Sequence, residues 1–377
     1  MGRIFILGAG FSKPAGYPLG PELITLLLAE AKRRTLYQNI IEPDIESYLY
    51  YLEAAKAKKI SEQQIDFEDF ISFLDYEHFL GLRGSDTWSI EGNRGQIAIR
   101  NLIAYVLHKV QPSPASLPLY HRFAQNLRPD DFIFTFNYDN LLEGILHQEG
   151  IHYRLFPDRF TSIQAYSATP DMETEEVVLL KVHGSIDWFD ISTFAHHEDD
   201  ARRHPLYTRP RHVVFEDPGI LLPEKIVSSL YWPDSPLQNI YRIKDLDSYF
   251  RSATFVMEAP LIVAPSFSKV IHLNPLKEFW DGFRKVGAYN SGVAVIGFSM
   301  PSHDDYVLQP IFHLITNFQR VKDLPTGLTK SRLKMVDLRQ DVHSIAEYKS
   351  RYPFVEWEET DTYFDGFDQN AVDLLFE

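Results

Sequence analysis

The 377-residue chain contains no cysteine. Disulfides, a thiolate nucleophile and cysteine-based zinc sites are therefore excluded, and the composition fits a reducing cytoplasm. Also missing is any apolar run of the roughly 18 residues that a membrane span needs. A buried strand begins at Ile4 and leaves no stretch for a secretory signal, so the cytoplasm is the expected location. Basic residues are in deficit, with 37 Lys and Arg against 52 Asp and Glu and a formal charge of -15. A surface so charged is not expected to bind along a nucleic-acid backbone. Lys56, Lys58 and Lys59 read as a solvated helix face.

What is present describes a folded α/β protein. Hydrophobic residues make up 45% of the chain and aromatic residues 14%, enough for a sizeable core. Short apolar runs bounded by Gly, Pro or Asp predict buried parallel strands near 3–7, 131–136, 177–183, 260–264, 292–297 and 333–338. Helical patterns such as 275–285 and 306–318 lie between them, which predicts a Rossmann-like doubly wound sheet. The gap between the first two strands is too long for one crossover. It carries helical periodicity near 21–34, 44–59, 66–80, 94–110 and 117–127, broken by turn residues. The expected organisation is a catalytic domain of residues 1–20 and 128–340, with a helical module inserted at 21–127. An irregular insertion is expected at 190–255 and a small tail element at 341–377.

The chemistry gathers where strands end. Ile4-Phe5-Ile6-Leu7 runs into Gly8-Ala9-Gly10-Phe11-Ser12, a glycine turn suited to close backbone approach by a dinucleotide's phosphates. The third glycine of the dehydrogenase fingerprint is absent, because position 13 is Lys13, and no acidic residue ends a second strand about 20 residues on. The second strand ends in Thr135-Phe136-Asn137-Tyr138-Asp139, at the edge where open α/β sheets bind ligands. Asp139 reads equally as the cap of the following helix. The third ends in His183-Gly184-Ser185, where a histidine can act as a base near neutral pH. A later strand ends in Gly297-Phe298-Ser299-Met300-Pro301, followed by Asp304 and Asp305, and Asp337 closes the last strand. His196, His197, Asp199, Asp200, His204 and His212 are ligand types in a spacing that matches no metal pattern, so no metal is expected.

In this order, the segments G-A-G-F-S, T-F-N-Y-D, K-V-H-G-S and G-F-S-M-P-S-H-D resemble the sirtuin fold family. Within it they are most similar to the NAD-hydrolysing effectors of bacterial antiphage defence. The resemblance implies that NAD is the substrate and that Asn137 and His183 form the catalytic pair. It further implies that Gly8, Ala9, Gly10 and Ser12 hold the phosphates, with Asp139 on the ribose side; Phe11, within the turn, and Thr135, which alternates with Asn137 and Asp139, are expected at the same cofactor site. Gly297 and Ser299 would lie against the adenosine half, and Asp304, just beyond that small-residue loop, is expected near a ribose or adenine. The chain departs from protein-deacylating sirtuins in lacking their four-cysteine zinc module, and Lys13-Pro14-Ala15-Gly16-Tyr17-Pro18 replaces their Pro-Asp-Phe-Arg stretch. The implied activity is NAD glycohydrolysis that depletes the cofactor during antiphage defence. A protein deacylase and a non-catalytic nucleotide sensor are the alternatives. Such an activity needs a gate, so homo-oligomerisation or a partner such as a DNA-translocase-type ATPase is expected.

Overall fold

In the computed structural model, residues 2–377 are described apart from 88–91, 165–166, 205, 207–210, 217, 229, 253–257, 282, 302–303, 323, 325–326 and 328. A seven-stranded sheet forms the centre. Its strands are β1 (Ile4–Leu7), β2 (Phe132–Thr135), β3 (Tyr153–Arg154), β4 (Val177–Lys181), β5 (Val293–Ile296), β6 (Leu333–Val336) and β7 (Thr360–Tyr363). The order across the sheet is β7-β6-β5-β1-β2-β4-β3, and every neighbouring pair is parallel. The chain builds one side of β1 first and then crosses to the other. The topological switch therefore falls between β1 and β5, the usual place for a ligand in open α/β sheets.

The apolar strands are central because both their faces are covered. Phe5 meets Phe123 and Phe376 on one face, while Phe134 meets Phe283 on the other. This is a Rossmann-like α/β fold. The two edge strands carry no such apolar signal, and β7 reads Thr-Asp-Thr-Tyr. Residues 341–377 are accordingly more than a small tail. They supply a strand of the central sheet and two helices, and the last helix packs on β6. The run at 260–264, expected as a strand, lies outside the sheet. Pro260 and Pro265 bracket it, and a single bridge joins Ile262 to Gly184.

The helical insert consists of α1 (Gly20–Arg33), α2 (Thr35–Lys56), α3 (Phe67–Phe79) and α4 (Arg94–His108). Asp66 caps α3 by accepting from the Glu68 and Asp69 amides, and Asn93 and Gln96 close a capping box at α4. The next helix, α5 (Leu117–Gln125), packs with α6 (Leu141–Gln148) and against the chain's last helix, with Tyr120 and Phe123 in the sheet's aromatic core. It therefore behaves as a crossover helix of the sheet. The 190–255 stretch is more ordered than its composition suggests. It contains α7 (Ile191–Arg203), α8 (Leu246–Ser252) and two strands: Ile240–Arg242 pairs antiparallel with Trp188–Asp190 on one side and with Glu224–Lys225 on the other. Of the remaining helices, α9 (Asp305–Arg320) buries Ile311, Leu314, Ile315 and Phe318 at helical spacing, and α10 (Val342–Ser350) and α11 (Gln369–Phe376) close the chain.

Candidate functional site at the strand ends

The glycine turn meets the loop after β5 at the switch point. The Gly8 amide donates to the Ile296 carbonyl at 2.9 Å, Gly10 to Gly297 at 3.0 Å and Phe11 to Gly8 at 2.9 Å. A Cβ on Gly297 would lie 2.4 Å from the Gly10 carbonyl carbon, and its φ of +61° belongs to glycine. A Cβ on Gly8 would lie 2.4 Å from the Gly297 carbonyl oxygen. These glycines therefore let two loops touch, a demand that a lone sequence motif does not reveal. The expectation that this turn offers its amides to phosphate needs correction at Gly8, Gly10 and Phe11, whose N–H groups are already engaged. Phe11 also departs from its expected role. Its ring packs against Tyr120, Phe123 and Phe367 in the core. Ala9 and Ser12 begin and end a one-turn helix, and Ser12 is buried.

Asn137 joins this turn to β2. Its amide nitrogen donates to the Gly8 carbonyl at 3.0 Å and to the Ser12 hydroxyl at 3.1 Å, while its backbone N–H donates to Thr135 Oγ1 at 3.1 Å. With both amide hydrogens engaged, the group that Asn137 keeps for a ligand is the acceptor Oδ1. Asp139 caps α6 through the Leu141 amide at 3.1 Å. Burial raises its pKa above the usual aspartate value, against the opposing pull of Lys181, the Leu141 N–H and the Ser12 hydroxyl. Its capping role and its place beside Ser12 thus coexist.

His183 follows β4, the neighbour of β2, so Asn137 and His183 leave adjacent parallel strands. The His183 ring stands edge-on to Phe136 and makes a close hydrogen bond through Nε2 with the Tyr306 hydroxyl. Burial holds the Tyr306 phenol well above the ordinary tyrosine range, so it remains protonated. Beyond Tyr306, Asp304 forms a buried ion pair with Lys269. Burial lowers the Lys269 pKa, and Asp304 opposes that shift. Asn137 and Asp139 are each 9% exposed and His183 3%. The cluster is closed. The segment 266–269, which carries Lys269, is tied to the helical insert: Ser72 of α3 accepts from the Phe267 amide at 2.8 Å and Asp75 accepts from the Ser266 hydroxyl at 2.5 Å.

Two functional features escaped the sequence reading. Tyr306 stands only one residue past the Asp304-Asp305 pair, but nothing local ties it to His183. Lys181 sits within an apolar strand with no exposure. Its ammonium meets the Asp139 carbonyl at 2.5 Å, Asn140 Oδ1 at 3.1 Å and Glu143 at 2.7 Å. A lysine interrupting a buried strand was the available signal, since buried cations are paired.

The other candidates lie further off or are already partnered. Ser299 offers its backbone carbonyl to Arg351 at 3.1 Å. Asp337 accepts from the Leu338 amide at 2.7 Å and Arg339 at 3.0 Å, and burial raises its pKa. His197 and His212 meet at 2.8 Å on the buried side of α7, whereas His196 pairs with Asp200 on its surface. Among the described residues no group of three or more His, Asp or Glu is placed to hold a metal ion. None of their helices is long and apolar enough to cross a membrane. A cavity of about 180 Å³ lies behind the 261–264 segment, between it and Asp75, Gln96 and Arg100 of the insert.

Residues 131–213 match the family model of the SIR2-like domain. This SIR2-like segment includes β2, β4, Asn137, Asp139 and His183, but spans less than a quarter of the chain. No curated protein matches the sequence. Among solved structures, a chain from "Structural Basis for the Mechanism and Regulation of Sir2 Enzymes" is 10% identical. That match covers 100% of this chain and 90% of the other at a TM-score of 0.30, a superposition too loose to argue from.

Proposed function

We propose that this protein hydrolyses NAD at the bond between nicotinamide and ribose, giving nicotinamide and ADP-ribose. The observation that carries this reading is the pairing of Asn137 and His183 at the ends of adjacent parallel strands inside the SIR2-like segment. The residues at the switch point fit a dinucleotide in part: a close backbone approach between Gly10 and Gly297 is there, and so is the start of a helical turn. With the Gly8, Gly10 and Phe11 amides engaged, what this turn offers a dinucleotide is close backbone approach rather than free amides.

In the reaction, the oxygen of water forms a bond to the ribose anomeric carbon while the bond to the pyridinium nitrogen breaks. The bonding pair stays with nicotinamide, which leaves neutral, so no acid is needed to expel it. Asn137 Oδ1, fixed by the turn, orients the water or a ribose hydroxyl and faces the developing positive charge with a carbonyl dipole. His183 takes the water's proton, and Tyr306 holds the imidazole in place. Fixing water and substrate in register lowers the barrier by several kcal/mol, up to about 10.

The tie between α3 and the 266–269 segment fits a resting enzyme. NAD reaches Asn137 and His183 once α3 and the loop at 266–269 draw back. The resemblance of the motifs supports a role as a cytoplasmic, NAD-depleting effector of antiphage defence. On this reading it is released by homo-oligomerisation or by a partner such as a DNA-translocase-type ATPase. A second reading, a nucleotide sensor without turnover, is favoured by the commitment of both Asn137 amide hydrogens. Chromatography of NAD incubated with the purified protein, alone and with its partner, separates the two. Nicotinamide and ADP-ribose are expected, with loss of at least about 100-fold in His183→Ala. Intact NAD in every state, with binding still measurable, sinks the hydrolase and leaves the sensor. An acyl-lysine peptide consumed with NAD identifies a deacylase instead.

A further inference from the structure

A second pocket lies at the far edge of the sheet, away from the strand-end cluster. It has a volume of about 460 Å³, within the usual range for small-molecule sites. Its wall includes Arg154, Arg159, Lys225 and Arg242, and none of its lining residues is Asp or Glu. In a chain with a net charge of -15, four cations around one cavity are a marked local reversal. Tyr153 and Phe156 add two aromatic rings to the same wall.

The cations are held ready, and they are not fully neutralised. Glu176, almost wholly buried, binds Arg154 at 2.9 Å and Arg159 at 2.7 Å, so one carboxylate fixes two guanidinium groups. Arg154 is fixed further by the Phe156 and Pro157 carbonyls. Asp158 stands near Arg154 and Asp187 near Arg242, but neither lines the cavity. Also in the lining, Lys225 bonds the neutral amide of Gln238 at 3.0 Å. The carboxylate nearest to the Arg242 guanidinium, Glu224, is 3.8 Å away and is bound at 2.9 Å by Lys244. The lining thus combines two arginines fixed by one carboxylate with a more weakly compensated lysine and arginine, a set of cations suited to binding phosphate.

We propose that this cavity is an accessory binding site for a phosphorylated, ring-bearing small molecule of nucleoside diphosphate size. The cations take the phosphates, and Tyr153 and Phe156 take the ring. Calorimetric titration of the intact protein with ADP, and separately with inorganic pyrophosphate, tests it. ADP is expected to bind more tightly than pyrophosphate. Lys225→Ala combined with Arg242→Ala is expected to weaken ADP at least about tenfold, through loss of two charge-assisted contacts. Lys225→Glu alone, at an exposed position with a neutral partner, gives the same direction without risk to the fold. Neither ligand binding at millimolar concentration overturns the proposal. So does ADP affinity unchanged in these variants, which places the nucleotide elsewhere. Equal affinity for pyrophosphate and ADP removes the role of the rings.

Discussion

The strand-end cluster and the sheet-edge cavity are both rich in polar groups, yet they are built oppositely. At the strand ends the residues are buried and bonded to one another, from the Asn137 amide to the buried ion pair of Lys269 with Asp304. At the sheet edge the cations line open space, and two of them are poorly compensated. The first arrangement holds a few groups at fixed positions and leaves them little exposed. The second accepts an anion with little rearrangement. Orientation and accessibility are thus divided between two places in one sheet.

The comparison breaks most completely at the contact between Gly297 and Gly10. Gly297→Ala combines a positive φ with a clash against backbone. A loss of about 3 kcal/mol or more is expected in urea unfolding, along with any nucleotide turnover. A change within about 0.5 kcal/mol would show that the two loops separate freely. Next comes Lys181→Met, which strands the Glu143 carboxylate in the interior. The pair's removal from one side predicts a loss of about 3 kcal/mol by the same measurement. Glu143→Gln combined with Lys181→Met is expected to recover part of it.

How much of this was legible beforehand follows from where the signal lies. The central strands β1, β2, β4, β5 and β6 announce themselves because burial on both faces demands continuous apolar runs. The edge strand β7 does not, since Thr360-Asp361-Thr362-Tyr363 contains no apolar run and draws its identity from pairing with β6. The polar residues at strand ends were likewise readable as a group, from their position alone. Their partners were not. Asn137 meets Ser12 across 125 positions and His183 meets Tyr306 across 123, and no local pattern encodes a contact of that range. The glycines illustrate the same limit: their presence was visible, while the reason for them, one loop lying against another, required the fold.

A milder change sharpens the strand-end half of the comparison. Tyr306→Phe removes the hydroxyl that meets His183 without altering the ring that packs near Trp280. If Tyr306 positions the imidazole, kcat for NAD falls by about tenfold, roughly the worth of one lost hydrogen bond. The pH profile is also expected to shift, while the unfolding midpoint in urea stays close to wild type. An unchanged profile means that the phenol only fills space.

The smallest effect concerns how the insert is anchored to the rest of the molecule. Asp247 of α8 receives bonds from Lys109 at 2.6 Å and His108 at 3.0 Å, at the end of α4. The Lys109 and His108 hydrogen bonds hold its pKa down, from 3.8 to about 2. Because the folded value is the lower one, the contact contributes its stabilisation above pH 3.8 and loses it as pH falls through about 2. The site is fully exposed, so salt screens it and the total contribution is small. Asp247→Asn is therefore expected to leave stability at neutral pH nearly unchanged and to flatten the acid limb between pH 4 and 2. Carboxyl NMR titration reads the wild-type midpoint directly. A midpoint near 3.8 would mean that this surface contact does not persist in solution. The insert would then be held to the rest of the molecule by its buried bonds, Ser72 to Phe267, Asp75 to Ser266, and Asn101 to Glu258 and Tyr249.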